Sequence, residues 1–250
     1  MPPNVIEPLE VDPQENASDF KTNNVPIVSS SNNSNYGLKI FQSSLNLLAH
    51  ILIGATVGIS VLFSLQNGLP LGATSTHILL CVLGYQLLMA QAILSLCPHN
   101  GWSANLRLFD KKVAHTVLQV LGSGLAIAGS FIKIIDKSVH WNTLHGQFGL
   151  VALVFSVVCL FNGVASFYAY NLRKCLPSNL SKITHICFGI VAFSASCISL
   201  CYGFDKNSFK SWASPAVTYT VIGFTACFTT IIIINPAITF YNKTSRVLKK

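Results

Sequence analysis

Six long apolar runs limit the fold of this chain more tightly than any other feature. They fall at 41–65, 73–96, 114–135, 146–170, 184–203 and 213–240, and none has Asp, Glu, Lys or Arg in its middle. At 1.5 Å per residue, roughly 20 helical residues cross a hydrocarbon core of about 30 Å. Lipid offers no water to the backbone, so each run must satisfy its own N–H and C=O groups, as a helix does. The reading is an all-α integral membrane protein of six transmembrane helices. The last run is over-long and contains Asn235-Pro236, which predicts a bend or an exit from the membrane there.

Composition agrees, with 51% hydrophobic residues, 10% charged residues and a mean hydropathy of +0.55. A soluble domain is typically about a quarter charged. The net charge of +8 could suggest nucleic-acid binding, but the basic residues lie in loops that flank spans. One set of loops holds twelve: Lys21, Lys39, Arg107, Lys111, Lys112, Arg173, Lys174, Lys182, Lys243, Arg246, Lys249 and Lys250. The alternate set holds four: Lys133, Lys137, Lys206 and Lys210. The positive-inside rule then places both termini in the cytosol. The sequons at Asn16, Asn32, Asn179 and Asn242 all fall on that side, where they should be unused. Of eight cysteines, Cys81, Cys159, Cys187, Cys197, Cys201 and Cys227 lie within or at the edge of apolar segments and read as small buried hydrophobes, and the lack of a CxxC motif argues against zinc or redox pairs. Residues 1–36, acidic and polar, read as a disordered cytosolic tail rather than a signal peptide. They precede a six-span domain over 37–243 and a basic tail over 244–250.

Histidine placement carries the chemistry. His77, His115, His145 and His185 each stand near the start of a span, in spans two to five. Ionisable side chains are costly in a bilayer and default to a functional role; the plain alternative is that each reaches the interface from a helix end. Successive spans run in opposite directions, so the four sort into His77 with His145 on the non-cytosolic side and His115 with His185 on the cytosolic side. Spans two to five thus read as a four-helix bundle, in which facing imidazoles can bind a haem iron axially. Two axial histidines leave no open position, which suits electron transfer. His145-Gly-Gln-Phe-Gly149 and His185-Ile-Cys-Phe-Gly189 share an H-x-x-x-G spacing. A glycine one turn from the ligand would leave room for a porphyrin edge. Gly84 and Gly122, two turns beyond His77 and His115, lie on the same faces. All four glycines could instead serve helix packing. Zinc is less favoured, because neither pair has a third ligand on its face. His50 reads as a packed polar residue and His99 as a solvated loop residue. His140, shortly before His145 in the outer loop, could touch a substrate or shuttle a proton.

These residues together resemble the cytochrome b561 family, in its subgroup with only the six-span core. The resemblance rests on Thr76-His77-Ile78, Lys112-Val-Ala-His115 followed by Leu118-Gln119-Val120, His140-Trp-Asn-Thr-Leu-His145-Gly146-Gln147, Thr184-His185 with Gly189, and Ile232-Ile-Ile-Asn235-Pro236 ahead of Tyr241. It implies two b-type haems. It also implies electron transfer from cytosolic ascorbate to monodehydroascorbate or ferric chelates on the other side, making the chain an ascorbate-dependent transmembrane oxidoreductase. Lys112 matches the family's cytosolic lysine ahead of the third-span histidine. Lys182 and Arg173 are further candidates to attract the ascorbate anion, and His140 with Trp141 would face the acceptor. The partners expected are these small molecules, the lipid bilayer and, in assembly, a second copy as a homodimer. Ile78 stands where relatives often carry proline, and the N-terminal tail matches nothing in the family. The rival readings are a haem-free histidine-bearing transporter or proton channel and a non-catalytic membrane scaffold.

Overall fold

A computed structural model describes residues 29–167 and 178–249. Most of the predicted tail, together with Arg173 and Lys174, lies outside those residues. The described chain holds six helices long and apolar enough to cross a membrane. They are α1 (Ser29–Leu65), α2 (Ala73–Ser95), α3 (Leu108–Asp136), α4 (Leu144–Phe167), α5 (Ser178–Phe204) and α6 (Asn207–Leu248). Among the described residues there are no strands.

The outer surface is more apolar than that of a water-soluble bundle. Leu47, Leu62, Leu121 and Phe161 are exposed, while Ser60, Ser64, Gln86 and Ser95 are buried and hydrogen-bonded. In lipid this is the stable arrangement, since apolar side chains lose nothing by facing acyl chains and polar ones find partners inside. Helices α2 to α5 form the bundle, with α2 against α3 and α4 against α5. Helices α1 and α6 pack on each other and close the side between α2 and α5. A core of Ala49, Ile53, Val57, Val82, Phe193, Phe228 and Ile232 joins these four elements.

Contact between α2 and α3 depends on two glycines. A Cβ on Gly84 would stand 2.6 Å from the Gly122 carbonyl oxygen, and one on Gly122 would stand 2.9 Å from that of Gly84. No side chain fits there, so the packing role accounts for both glycines.

Two features depart from the sequence reading. The last span does not break at Asn235-Pro236: α6 runs through Pro236 to Leu248, and its non-helical residue is Ser214 (φ 72, ψ 155). Ser214 precedes Pro215, whose ring disfavours helical backbone at the residue before it. Pro236 costs its helix a single donor, and Asn235 is anchored by a bond from its amide to Cys97 Sγ at 3.1 Å. The second departure is in α2, which is not uniform: Val82–Met89 is π-helical.

Candidate functional site

The four span-start histidines meet in two pairs. The ring centres of His77 and His145 lie 6.1 Å apart with planes at 88°, and those of His115 and His185 lie 6.2 Å apart at 84°. A metal about 2.0 Å from each imidazole nitrogen, itself about 1.1 Å from its ring centre, sets two axial rings about 6.2 Å apart. Both pairs therefore have the separation of two imidazoles sharing one metal on a common axis.

The second ring nitrogen fixes each orientation. The Nδ1 of His77 lies 2.9 Å from the Gly129 carbonyl oxygen, that of His115 2.9 Å from Ala92 O, and that of His145 2.8 Å from Ser199 O. Proton donation from Nδ1 to a carbonyl leaves Nε2 with a lone pair, the tautomer that binds a metal. His185 differs, since its Nδ1 meets the Cys159 thiol at 3.4 Å. The bonds are reciprocal: α2 and α3 each hold the other's histidine, and so do α4 and α5.

Helix arithmetic explains why the arrangement repeats. The interval from His115 to Gly129 on α3 equals that from His145 to Cys159 on α4 and that from His185 to Ser199 on α5. That interval is close to four helical turns, so each helix carries a histidine and an acceptor on nearly one face, about 21 Å apart. In α2 the interval from His77 to Ala92 is longer by a single residue. The π-helical segment lies between them and absorbs the extra residue, as a π-bulge does. The two pairs thus sit toward opposite ends of the helix bundle.

Glycines clear the space around the rings, but not those singled out by H-x-x-x-G. Gly149 and Gly189 face Ser199 Oγ and Cys159 Sγ across the α4–α5 contact. The glycines that touch imidazole are Gly163, where a Cβ would lie 3.1 Å from His185 Cε1, and Gly203, where it would lie 3.3 Å from His145 Cε1. Gly163 follows His145 at the same interval as Gly203 follows His185. The interval is five whole turns, which return to the same face. Antiparallel packing then lays each glycine against its neighbour's histidine. This five-turn spacing from histidine to glycine is present in the sequence and marks the ring-facing glycines.

A cavity of about 480 Å³ reaches His77 and His145 from the face opposite the chain ends. Lys133, Lys137, His140, Trp141 and Lys206 line it along with Tyr85. His140 is anchored through Nε2 to the Ile134 carbonyl at 2.8 Å and stands 5.8 Å from the Trp141 ring. Sequence reasoning assigns His140 and Trp141 to this mouth and misses the three lysines. Lys206, between α5 and α6, has its ammonium held below the ordinary lysine range by partial burial and then by Lys137 and Lys133. On the other face, Lys112 and Lys182 are exposed one turn before His115 and His185, and neither lines a described cavity. Arg173 lies outside the described residues. Gln119 Oε1, one turn beyond His115 on the same face, is buried with no protein partner. An orphaned acceptor of this kind marks a site shaped for something besides side chains. His50 is a satisfied core histidine, bonded to Asn100 Oδ1 at 2.7 Å and to the Gln91 amide at 2.9 Å.

Comparison with known proteins adds independent findings. A family profile described as eukaryotic cytochrome b561 matches residues 76–210. The human protein named transmembrane reductase CYB561D2 is 26% identical over 204 residues, covering 80% of this chain and 89% of that one. The mouse protein of the same name is 30% identical over 178 residues, covering 68% and 75%. The bovine one is 26% identical over 204 residues, covering 80% and 89%.

Proposed function

The chain belongs to the eukaryotic cytochrome b561 family, and on that premise we propose that it carries electrons from cytosolic ascorbate across the membrane to monodehydroascorbate or a ferric chelate. Membership makes it a transmembrane b-type cytochrome and an oxidoreductase. The finer reading adds two haems, one held by His115 and His185 and the other by His77 and His145. One observation carries it: two imidazole pairs, each at the spacing of an axial pair, stand about 21 Å apart along the helices.

Bound haem supplies the one-electron chemistry. The protein's share is placement and environment. Backbone carbonyls fix Nδ1 and aim Nε2 in His77, His115 and His145, and the Cys159 thiol meets Nδ1 of His185; Gly163 and Gly203 leave the rings room; exposed Lys112 and Lys182 present positive charge to an ascorbate anion on the cytosolic face. Arg173 joins them as a candidate by its place in the sequence. His140 and Trp141 border the opposite mouth, where the acceptor docks. Apolar helix faces keep water from the path, which keeps the environment's response to the moving charge small. A histidine relay for protons is the weaker reading, because a relay needs both ring nitrogens free to exchange partners and here Nδ1 is committed.

The purified protein should show the α-band of a b-type haem in a reduced-minus-oxidised spectrum, at two haems per chain. In proteoliposomes with ferric citrate trapped on the far side, external ascorbate should generate ferrous iron inside. A protein without a haem spectrum would overturn the redox reading; haem without trans-membrane reduction would overturn the donor and acceptor.

A further inference from the structure

The face opposite the chain ends carries little charge, and what it carries is unevenly compensated. Its four lysines are Lys133, Lys137, Lys206 and Lys210, and its described acids are Asp136 and Asp205. Lys133 pairs with Asp136 and also donates to Thr74 Oγ1 at 2.7 Å, while Lys210 pairs with Asp205 at 2.6 Å. Lys137 and Lys206 are left without an acidic partner among the described residues, and both line the cavity that reaches His77 and His145. The positive-inside rule does not account for them, since it disfavours lysine on this face. Two like charges also repel at such a mouth, and the Lys206 ammonium is held below the ordinary lysine range by partial burial first and then by Lys137 and Lys133. An arrangement that is unfavourable alone becomes favourable when an anion joins it.

We propose that Lys137 and Lys206 recognise the carboxylates of a multiply charged acceptor at the mouth of the outer cavity, which makes a polycarboxylate ferric chelate the acceptor class that fits. The inference rests on the proposed electron-transfer function and narrows its acceptor. Monodehydroascorbate, a single anion, would leave one of the two charges unmatched. The step balances simply: one electron leaves the reduced protein, the chelate's ferric iron becomes ferrous, and the donor on the opposite face restores the electron. No proton moves, and no bond to carbon breaks. The propionates of haem offer the same carboxylate chemistry, so the test has to separate the two sources.

The reduced holoprotein is mixed in a stopped-flow instrument with ferric citrate, which is anionic, or with tris-maltolato iron(III), which is neutral. The readout is the ratio of the two second-order reoxidation rates. In the double variant Lys137→Gln/Lys206→Gln this ratio should fall about tenfold, and the acceleration of the citrate reaction at low salt should largely vanish. Lys210→Gln, whose lysine lies outside the cavity, should leave the ratio as it was. An unchanged ratio in the double variant overturns the proposal. So does a loss of haem, or a shift in the outer haem's midpoint potential, that slows both chelates alike, because the lysines then serve the propionates. Failure of the unaltered protein to reoxidise with either chelate would instead sink the function on which the proposal rests.

Discussion

At the scale of single residues, the site is a matter of clearance around four rings. Gly163 and Gly203 each lie where a methyl group would press on an imidazole, and the tighter is Gly163 at 3.1 Å from His185 Cε1. His185 is also the ring whose Nδ1 leans on a thiol instead of a closely placed carbonyl, so it is the more readily displaced. Gly163→Ala should weaken haem retention at the inner pair by about 1–3 kcal/mol, a loss of affinity of about five- to 150-fold. Gly203→Ala should weaken the outer pair less. The haem-to-protein ratio and the midpoint titration of each variant would show it, and full haem content with unshifted potentials in Gly163→Ala would refute the clearance argument. A second residue-scale expectation concerns pH. Burial and then the neighbouring Lys137 and Lys133 hold Lys206 below the usual 10.5, so raising the pH removes its charge earlier than for an ordinary lysine. Reoxidation by hexacyanoferrate(III), whose own charge does not titrate, should therefore begin to slow below that range. In Lys206→Arg the decline should move to higher pH, because guanidinium stays protonated. Identical profiles for the two proteins would show that Lys206 does not set the field. The four histidines were legible because ionisable residues at or just inside the start of an apolar run are rare enough to stand out. The carbonyls that hold them were not, since backbone atoms leave no mark in sequence. The mouth lysines inform topology when counted along the chain, and their convergence appears only once the α3–α4 and α5–α6 connections are folded together.

At the scale of elements, the six spans were readable because lipid imposes a length and a composition on any helix that crosses it. Their ends were less so: α3 begins at Leu108 rather than 114, and α6 runs to Leu248 rather than 240, since helices extend past the hydrocarbon once started. A bend or a membrane exit was expected at Asn235-Pro236; the helix runs on through it, and its kink lies before Pro215. Both prolines remove a donor, but only at Pro215 does the preceding residue leave the helical region. The π-helical stretch of α2 had no hydrophobic signature; its signal was a histidine-to-acceptor interval longer by a single residue than those of α3, α4 and α5. If the extra residue is what the π-helix absorbs, deleting Leu87 should convert Val82–Met89 to ordinary α-helix with His77 and Ala92 still in phase. That protein should keep more than half of its haem. Deleting Val120, between His115 and Gly129 on α3, should strip it, because no bulge exists there to take up the change. Equal loss from the two deletions, read as haem per protein after purification in detergent, would remove the phase argument.

At the scale of the whole molecule, the proposed function joins the two pairs in series. Each helix of the bundle contributes a histidine at one end and an acceptor or a glycine at the other, so neither site can form without all four helices, yet the sites share no side-chain ligand. Folding is thus common to both while binding is separate. Two consequences follow that a single-site protein could not show. His145→Ala removes one ligand of the outer pair and leaves the backbone bond between His115 and Ala92 and the thiol contact of His185 untouched. Ascorbate added on the cytosolic side should therefore still reduce about half the normal haem content, at a rate close to that of the unaltered protein. Delivery to ferric citrate trapped on the far side of a proteoliposome should fall by two orders of magnitude or more, because the inner pair alone stands about 21 Å short of the outer pair. His115→Ala should do the reverse, sparing outer-face exchange with the acceptor and abolishing rapid reduction from the cytosolic side. The decisive comparison is between the variants, since general damage to the bundle would lower both measurements in both proteins. A His145→Ala protein that loses all of its haem, or one that still passes electrons across the bilayer, would show that the pairs are not independent stations in series.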